Sequence, residues 1–243
     1  MDSKFRNIGK YLLNVVLPRT CAHCSADLHY LETRPLCPGC SGELEPTPEL
    51  LCEICGLPLP DGGQACYDCR GAGDRRALEL ARAAFVFNPA LRSVVHGFKY
   101  RGREDLAAFL AGEMAAALPR FPELAPYNFC AAVPLHPAKL RERGFNQAEL
   151  LAKELAARGN LFRLEGALKR VRNTPSQTAL SKKDRRANME GAFSVTKPEL
   201  VKGRRILLVD DVATTLATLN TLAAELKKAG AKAVAAYTLA REP

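Results

Sequence analysis

Two groups of side chains have the types and spacing to do chemistry. The first is a set of eight cysteines in four C-x-x-C pairs: Cys21/Cys24, Cys37/Cys40, Cys52/Cys55 and Cys66/Cys69. A two-residue gap lets both thiolates of a pair point at one ion, and four thiolates form the tetrahedral cage that Zn²⁺ takes. The links between them ("CPGCSGE", "CEICGLPLPDGG", "CYDC") are short and carry Gly and Pro. They suit tight knuckles with little core of their own, for which metal is a main source of folding energy. A disulfide framework is the competing use of such a pattern. It requires an oxidising compartment, and no feature of the sequence points to export. Thioredoxin-like chemistry would need one C-x-x-C on a strand-to-helix turn, not four in a Pro/Gly-rich array. The simplest assignment is sequential, with Cys21, Cys24, Cys37 and Cys40 on one ion and Cys52, Cys55, Cys66 and Cys69 on another. An interleaved pairing and a single occupied site stay open. The ninth cysteine, Cys130, lies in the apolar run "FCAAVPL" and reads as a small core residue.

The second group is "VDDVATTLATLN", residues 209–220. Asp210 and Asp211 end an apolar run, and carboxylates accept hydrogen bonds from sugar hydroxyls and sit beside metals. Thr214, Thr215 and Thr218 bring hydroxyls to the start of a helix, where free N–H groups and the helix dipole favour an anion. Leu216, Leu219, Leu222 and Leu226 are spaced as a helical apolar stripe. On that pattern Leu216 extends the core-facing side of the helix by one turn. A positive φ at Leu216 would instead strain it by about 1 kcal/mol or more.

The elements that must position these groups alternate between strands and helices. "RAAFVFN", "NFCAAVPL", "RRILLVDD" and "KAVAAYTLA" read as strands. "PALRSVVHGFKYRG", "LAAFLAGEMAAAL" and "NQAELLAKELAARG" read as helices, the last with Leu150, Leu151 and Leu155 on one side and Gly159 as its C-cap. A further helix runs from Thr214 to Ala229, stopped by Gly230. Alternation of this kind predicts an α/β fold, a parallel sheet covered by helices on both faces. Ligands bind beyond the C-terminal strand ends of such sheets, which places Pro134 to Lys139 and Asp210 to Thr218 on one rim. "GAGDRR" reads as a linker. The chain thus divides into a small Cys-rich zinc-binding module with an N-terminal helix (1–72) and an α/β domain (73–243).

The 243 residues are 47% hydrophobic, enough for a sizeable core, and carry a net charge of +9. Between Leu135 and Asn188, 13 Lys and Arg face 5 Asp and Glu, so +8 of the +9 falls in under a quarter of the chain. Such a balance suits an anionic partner, either nucleic acid or a phosphorylated metabolite, and equally a solvated surface. Aromatic residues are 7% and tryptophan is absent, which argues against extensive base stacking. No apolar run approaches the ~20 residues of a membrane span. "YLLNVVLP" is too short for a signal peptide and lacks a small-residue cleavage site before Cys21. It reads as a short amphipathic helix, and a cytoplasmic location is expected.

"VDDVATTLAT" resembles the ribose-5-phosphate motif of type I phosphoribosyltransferases, an apolar strand followed by D-D-x-x-T-T-G-x-T. The receiver domain of response regulators also has a strand ending in an acidic pair, but it needs far more chain than Val212 to Pro243. Three further stretches, "HGFKYRGRED", "VPLHPAKLRERGFNQAELLAKELA" and "RVRNTPSQTALSKKDRRANMEGAF", extend the match. Together with the four C-x-x-C pairs they make the chain resemble the ComF family along nearly its whole length. That resemblance implies an N-terminal zinc module on a phosphoribosyltransferase-like domain, with one or two structural zinc ions and Mg²⁺ with phosphoribosyl pyrophosphate (PRPP). It makes Asp210 and Asp211 the catalytic pair on the ribose hydroxyls. Thr214, Thr215, Leu216, Ala217 and Thr218 would wrap the 5-phosphate, with Leu216 where the family has glycine and transferase activity in question. Lys139, Arg141 and Arg143, in a loop stiffened by two prolines, would grip pyrophosphate. Gln177, Lys182, Lys183, Arg185 and Arg186, with Asn188 close by, would lie on a mobile cationic flap between the strands "ALKRV" and "GAFSV". Expected partners are PRPP or another phosphorylated small molecule, single-stranded DNA, a DNA-uptake helicase and a second copy of the chain. The implied role is in natural transformation; the competing role is a non-catalytic, zinc-containing, single-stranded nucleic-acid-binding accessory protein.

Overall fold

The computed structural model describes residue 11 and residues 14–71, 76–173 and 191–243. Asn14 to Val16 are helical and lead to two knuckles. Each knuckle closes its second C-x-x-C on a one-turn helix, α1 (Pro38–Gly42) and α2 (Tyr67–Arg70), with Cys37 and Cys66 as the N-caps.

The α/β part follows. Among the described residues five strands form one sheet: β1 (Leu80–Val86), β2 (Phe129–Ala132), β3 (Phe162–Arg163), β6 (Arg205–Ala213) and β7 (Ala233–Arg241). Their order is β1-β7-β6-β2-β3, and every pairing is parallel. An antiparallel pair, β4 (Leu168–Arg170) and β5 (Phe193–Val195), stands apart from it. The apolar runs of β6 and β7 follow from burial on both faces. Leu207, Val209, Ala235 and Tyr237 pack on one side with Leu110 and Met114 of α4 (Leu106–Ala117) and Leu151 and Leu155 of α6 (Gln147–Gly159). Ile206, Leu208, Val234 and Ala236 pack on the other with Leu219, Leu222 and Leu226 of α7 (Ala217–Lys228). The period-two alternation of a strand thus divides the core between two helical layers. Tyr237 can be buried because its hydroxyl donates to the Met114 carbonyl at 2.6 Å.

The free edge of β1 is covered by the knuckles. Ala81 N donates to Ile54 O, Val86 N to Glu45 O, and Thr47 N to Ala84 O. This satisfies backbone groups that would otherwise invite pairing with another chain. Helix α3 (Pro89–Tyr100) starts at Asn88, whose side chain accepts from Leu91 N, and buries Leu91, Val94 and Phe98.

Four local expectations are corrected. Gly159 is still helical, and Asn160, at φ 53°, is the left-handed cap of α6. Asparagine tolerates that conformation through local hydrogen bonding. The strand carrying the acidic pair continues to Ala213, because β7 remains alongside it to Arg241. The helix after the pair begins at Ala217, not Thr214, and Leu216 is its N-cap at φ 59°. Leu216 is therefore outside the helix proper, though its side chain still packs against the cluster that holds Leu219, Leu222 and Leu226. Finally, Pro137–Arg143 is not a stiff loop but a short helix, α5, with Pro at its first turn and His136 Nδ1 accepting from Ala138 N.

Candidate functional site

Each four-cysteine set forms from neighbours in sequence. Cys21, Cys24, Cys37 and Cys40 converge, as do Cys52, Cys55, Cys66 and Cys69, with the sulfurs of each set within 4.8 Å of one another. Four Zn–S bonds in a tetrahedron put sulfurs about 3.8 Å apart. Cys24 and Cys37 Sγ are 3.9 Å apart, and Cys55 and Cys66 Sγ 3.6 Å. All nine cysteines are free of disulfides. The two donor sets thus fit two zinc ions, and the sequential assignment is the one the chain adopts. Burial opposes ionisation of Cys21, but the amides of Cys37, Cys24 and His23 outweigh it and bring the thiol down to about 6. Cys52 is brought to about 6 in the same way, burial being outweighed by the amides of Cys55, Cys66 and Ile54. Cys130 is buried in the core, which pushes its thiol up to about 11.

The acidic pair lies near the end of β6. Its register is set by β7, where Asp210 faces Thr238, and by β2, where Val133 N donates to Val209 O. Asp211 is buried and pairs with Lys99 Nζ at 2.8 Å. Asp210 Oδ1 accepts from Asp211 N at 2.9 Å. Burial pushes the Asp210 carboxyl up to about 7, Asp211 adds to the rise, and Lys99 and Arg170 counter it. Lys99 itself is held above the usual lysine range, since the charges of Asp211 and Asp210 outweigh its burial. Lys139 is held below that range by burial and by the nearby charges of Arg170 and Arg143. The rim therefore sets the two carboxylates against Lys99 and Arg170, with Lys139 close to those two cations and to Arg143.

Of the residues singled out from sequence, Lys139 and Arg143 are brought near Arg170, which faces Asp210. Arg143 stacks over the Tyr100 ring at 5.0 Å and donates to Gln147 Oε1. Arg141 is exposed on α5. Asn146 fastens α6 to the rim, donating to Val133 O at 3.0 Å and accepting from Ala148 N. Gln177, Lys182, Lys183, Arg185, Arg186 and Asn188 fall outside the described residues. Sequence reasoning does not reach Lys99 and Arg170. Their signal is weak: a lysine beside buried Phe98 in the last turn of α3, and an arginine in a short strand.

Thr214, Thr215 and Leu216 form a loop between β6 and α7, followed by Ala217 and Thr218 in the first helical turn. The first intrahelical bond runs from Asn220 N to Leu216 O at 2.8 Å. Ala217 N, ahead of that bond, makes a long contact to Thr215 Oγ1, and the first turn holds no acidic residue. This is an anion-accepting helix start. Leu216 explains itself by what it touches: it packs against the cluster of Cys52, Cys55, Cys66 and Cys69 and also against the core cluster of Leu219 and Leu222. Left-handed leucine costs about 1–2 kcal/mol, and burying part of its side chain offsets an amount of the same order. Arg241 ties the same parts together. Its Nε donates to Cys55 O at 3.2 Å, and its Nη1 donates to Ala213 O at 3.1 Å and to Thr214 O. A cavity of about 590 Å³ lies between the second knuckle and the loop, lined by Ile54, Leu57, Arg76, Thr215, Leu216 and Asn220 among others. The acidic pair does not line it.

Comparison with known proteins agrees with this geometry. Residues 12–70 match the double zinc ribbon domain, and residues 140–243 match the phosphoribosyl transferase domain. Competence protein F of Haemophilus influenzae is 33% identical over 229 residues, 91% of this chain and 96% of its own. The DNA utilization protein YhgH of Escherichia coli K12 is 31% identical, covering 85% of this chain and 90% of its own. Competence protein ComFC of Bacillus subtilis is 30% identical, covering 85% and 84%. With two four-cysteine ribbons packed against a parallel α/β sheet of phosphoribosyltransferase type, and relatives matching over most of its length, the chain belongs to the ComF family.

Proposed function

We propose that the chain binds PRPP with Mg²⁺ at the rim of β6, transfers the phosphoribosyl group to an acceptor, and serves DNA uptake or utilization in the cytoplasm. The observation that carries this reading is the acidic pair, set against Lys99 and Arg170, one short loop away from an anion-accepting helix start. Asp210 and Asp211 accept hydrogen bonds from the ribose hydroxyls. The loop Thr214–Thr218 takes the 5-phosphate on its amides and hydroxyls. Lys139, Arg143 and Arg170 face the diphosphate, where fixed positive charge favours its departure. Mg²⁺ bound beside the pair would neutralise further charge on the diphosphate. The names of the relatives, competence protein and DNA utilization protein, support the cellular role. A division into a zinc module (1–72) and a transferase-type domain (73–243) belongs to the same reading.

Calorimetry with Mg²⁺ and PRPP tests binding, with micromolar affinity expected and lost in a double Asp210→Asn, Asp211→Asn variant. Diphosphate release with a panel of nucleobases and single-stranded DNA tests transfer. Heat of binding without release under any acceptor would leave a PRPP-binding protein and remove the transferase. A second reading, single-stranded DNA binding, is favoured by the exposed Arg141 and the basic segment around it. It requires affinity that falls steeply with salt, so a titration flat from low to moderate salt would remove it.

A further inference from the structure

The second knuckle meets the Thr214–Thr218 loop at two places that involve different chemistry. Leu216, held at φ 59°, lays its side chain between the cluster of Cys52, Cys55, Cys66 and Cys69 and the core that holds Leu219 and Leu222, bridging the two. Arg241, 8% exposed, spans from the Cys55 carbonyl to the carbonyls of Ala213 and Thr214. The knuckle is also fixed to the sheet. Ala81 N donates to Ile54 O, and Arg82 donates to Cys52 O while paired with Glu123. A glycine at 216 would take the same backbone conformation without strain, but would not reach the knuckle. Among the described residues the first cysteine set makes no comparable contact: its apolar neighbours belong to the other face of the sheet, with Leu91, Phe98 and Leu110.

We infer that Leu216 and Arg241 are positioning residues that make the second knuckle a structural part of the phosphate loop, so that metal at Cys52, Cys55, Cys66 and Cys69 sets how tightly the loop holds an anion. This rests on the reading of Thr214–Thr218 as a phosphate loop. The first knuckle has no part in it.

The test uses the full-length, zinc-loaded protein. Amide exchange is followed by NMR at Asn220 and Thr221, whose N–H groups close the first turn of α7. Affinity for PRPP with Mg²⁺, and for inorganic phosphate, is measured on the same samples. Leu216→Ala is expected to keep two equivalents of zinc yet to speed exchange at both amides by about fivefold or more, with a matching loss of affinity. Cys66→Ser, which weakens the second zinc site, speeds exchange and lowers affinity likewise, whereas Cys24→Ser leaves both readouts unchanged. Leu216→Met, which still reaches the knuckle, stays close to wild type. Unchanged exchange in Leu216→Ala overturns the inference, as does equal loosening by Cys24→Ser and Cys66→Ser. If Cys66→Ser fails to fold, Arg241→Lys, too short to span both carbonyl groups, takes its place and is expected to behave as Leu216→Ala. If wild type binds neither PRPP nor phosphate, the phosphate-loop reading falls, and the exchange data alone decide the coupling.

Discussion

In the first knuckle the Ser25 amide donates to Cys21 O, and Cys21 N donates to Ala26 O; in the second, Gly56 and Leu57 take the same places around Cys52. Both turns need a left-handed residue, Ser25 at φ 62° and Gly56 at φ 66°. The difference lies in what is packed outside. A Cβ on Gly56 would stand 2.6 Å from the Ala81 carbonyl oxygen of β1. Cys24 is exposed and Cys37 half-buried, whereas all four cysteines of the second set are buried, none above 6%. Arg76 also donates to Cys69 Sγ at 2.9 Å, supplying positive charge where four thiolates and one Zn²⁺ leave an excess of negative charge. One template is thus used twice, once as an outlying clamp on the α4 side, where Arg34 meets Glu113 and Phe109, and once against the loop that joins β6 to α7. Zinc-ribbon geometry is local; what a ribbon does depends on what it is packed against.

The largest effect expected from this contrast is in metal removal. Structural zinc contributes on the order of 10 kcal/mol to such sites. With a strong chelator, one equivalent should leave quickly from the Cys21 set and the second slowly, with global unfolding accompanying only the second. A single release phase, followed with a zinc indicator, would erase the distinction. Acidification sharpens it, because ligand thiolates must be deprotonated to hold metal; the exposed set should release zinc at the higher pH.

Asp210 should respond to pH with the opposite sign. Asp210 is raised in the fold, from an ordinary carboxylate value to about 7. The folded chain therefore binds the proton more tightly than the unfolded one. Its contribution is present in full below about pH 4 and is lost as pH rises towards 7, with a slope of up to about 1.4 kcal/mol per pH unit. Denaturant midpoints from pH 5 to 7, with zinc held bound, should fall in wild type and flatten in Asp210→Asn. If PRPP binds with Mg²⁺ as proposed, its affinity should rise over that window as Asp210 ionises. A wild-type stability profile as flat as that of the variant would remove Asp210 as the titrating group.

Smaller effects come from the paired turn residues. Gly56→Ala should destabilise by about 2 kcal/mol or more, from the left-handed penalty and the contact with β1. Ser25→Gly should stabilise by up to about 1 kcal/mol, because nothing there opposes the change and a strained φ is relieved. Chemical denaturation of the two variants checks both signs; equal shifts would mean that the knuckles are packed alike.

Much of this is legible in the chain because the signals are local. C-x-x-C spacing selects the metal and, with short links, favours the sequential ligand sets. Apolar runs of β6 and β7 announce strands buried on both faces, and the acidic pair followed by threonines announces a strand end and a helix start. The first turn of α7 is misleading in sequence because the leucine spacing at 216, 219, 222 and 226 is helical whether or not residue 216 is in the helix. Its left-handed backbone is compensated by cysteines some 150 residues earlier, a contact that no periodicity reports. Lys99 and Arg170 escape a linear reading for the same reason: they reach Asp211 and Asp210 only when α3 and β4 have packed against the end of β6. The two cysteine sets, the α/β class and the acidic pair near the end of a strand can therefore be read from residue order alone, since each rests on neighbours a few residues apart. Which knuckle is buried, which cations surround the pair and why a leucine stands at the loop emerge only on folding, because those depend on distant segments meeting in one place.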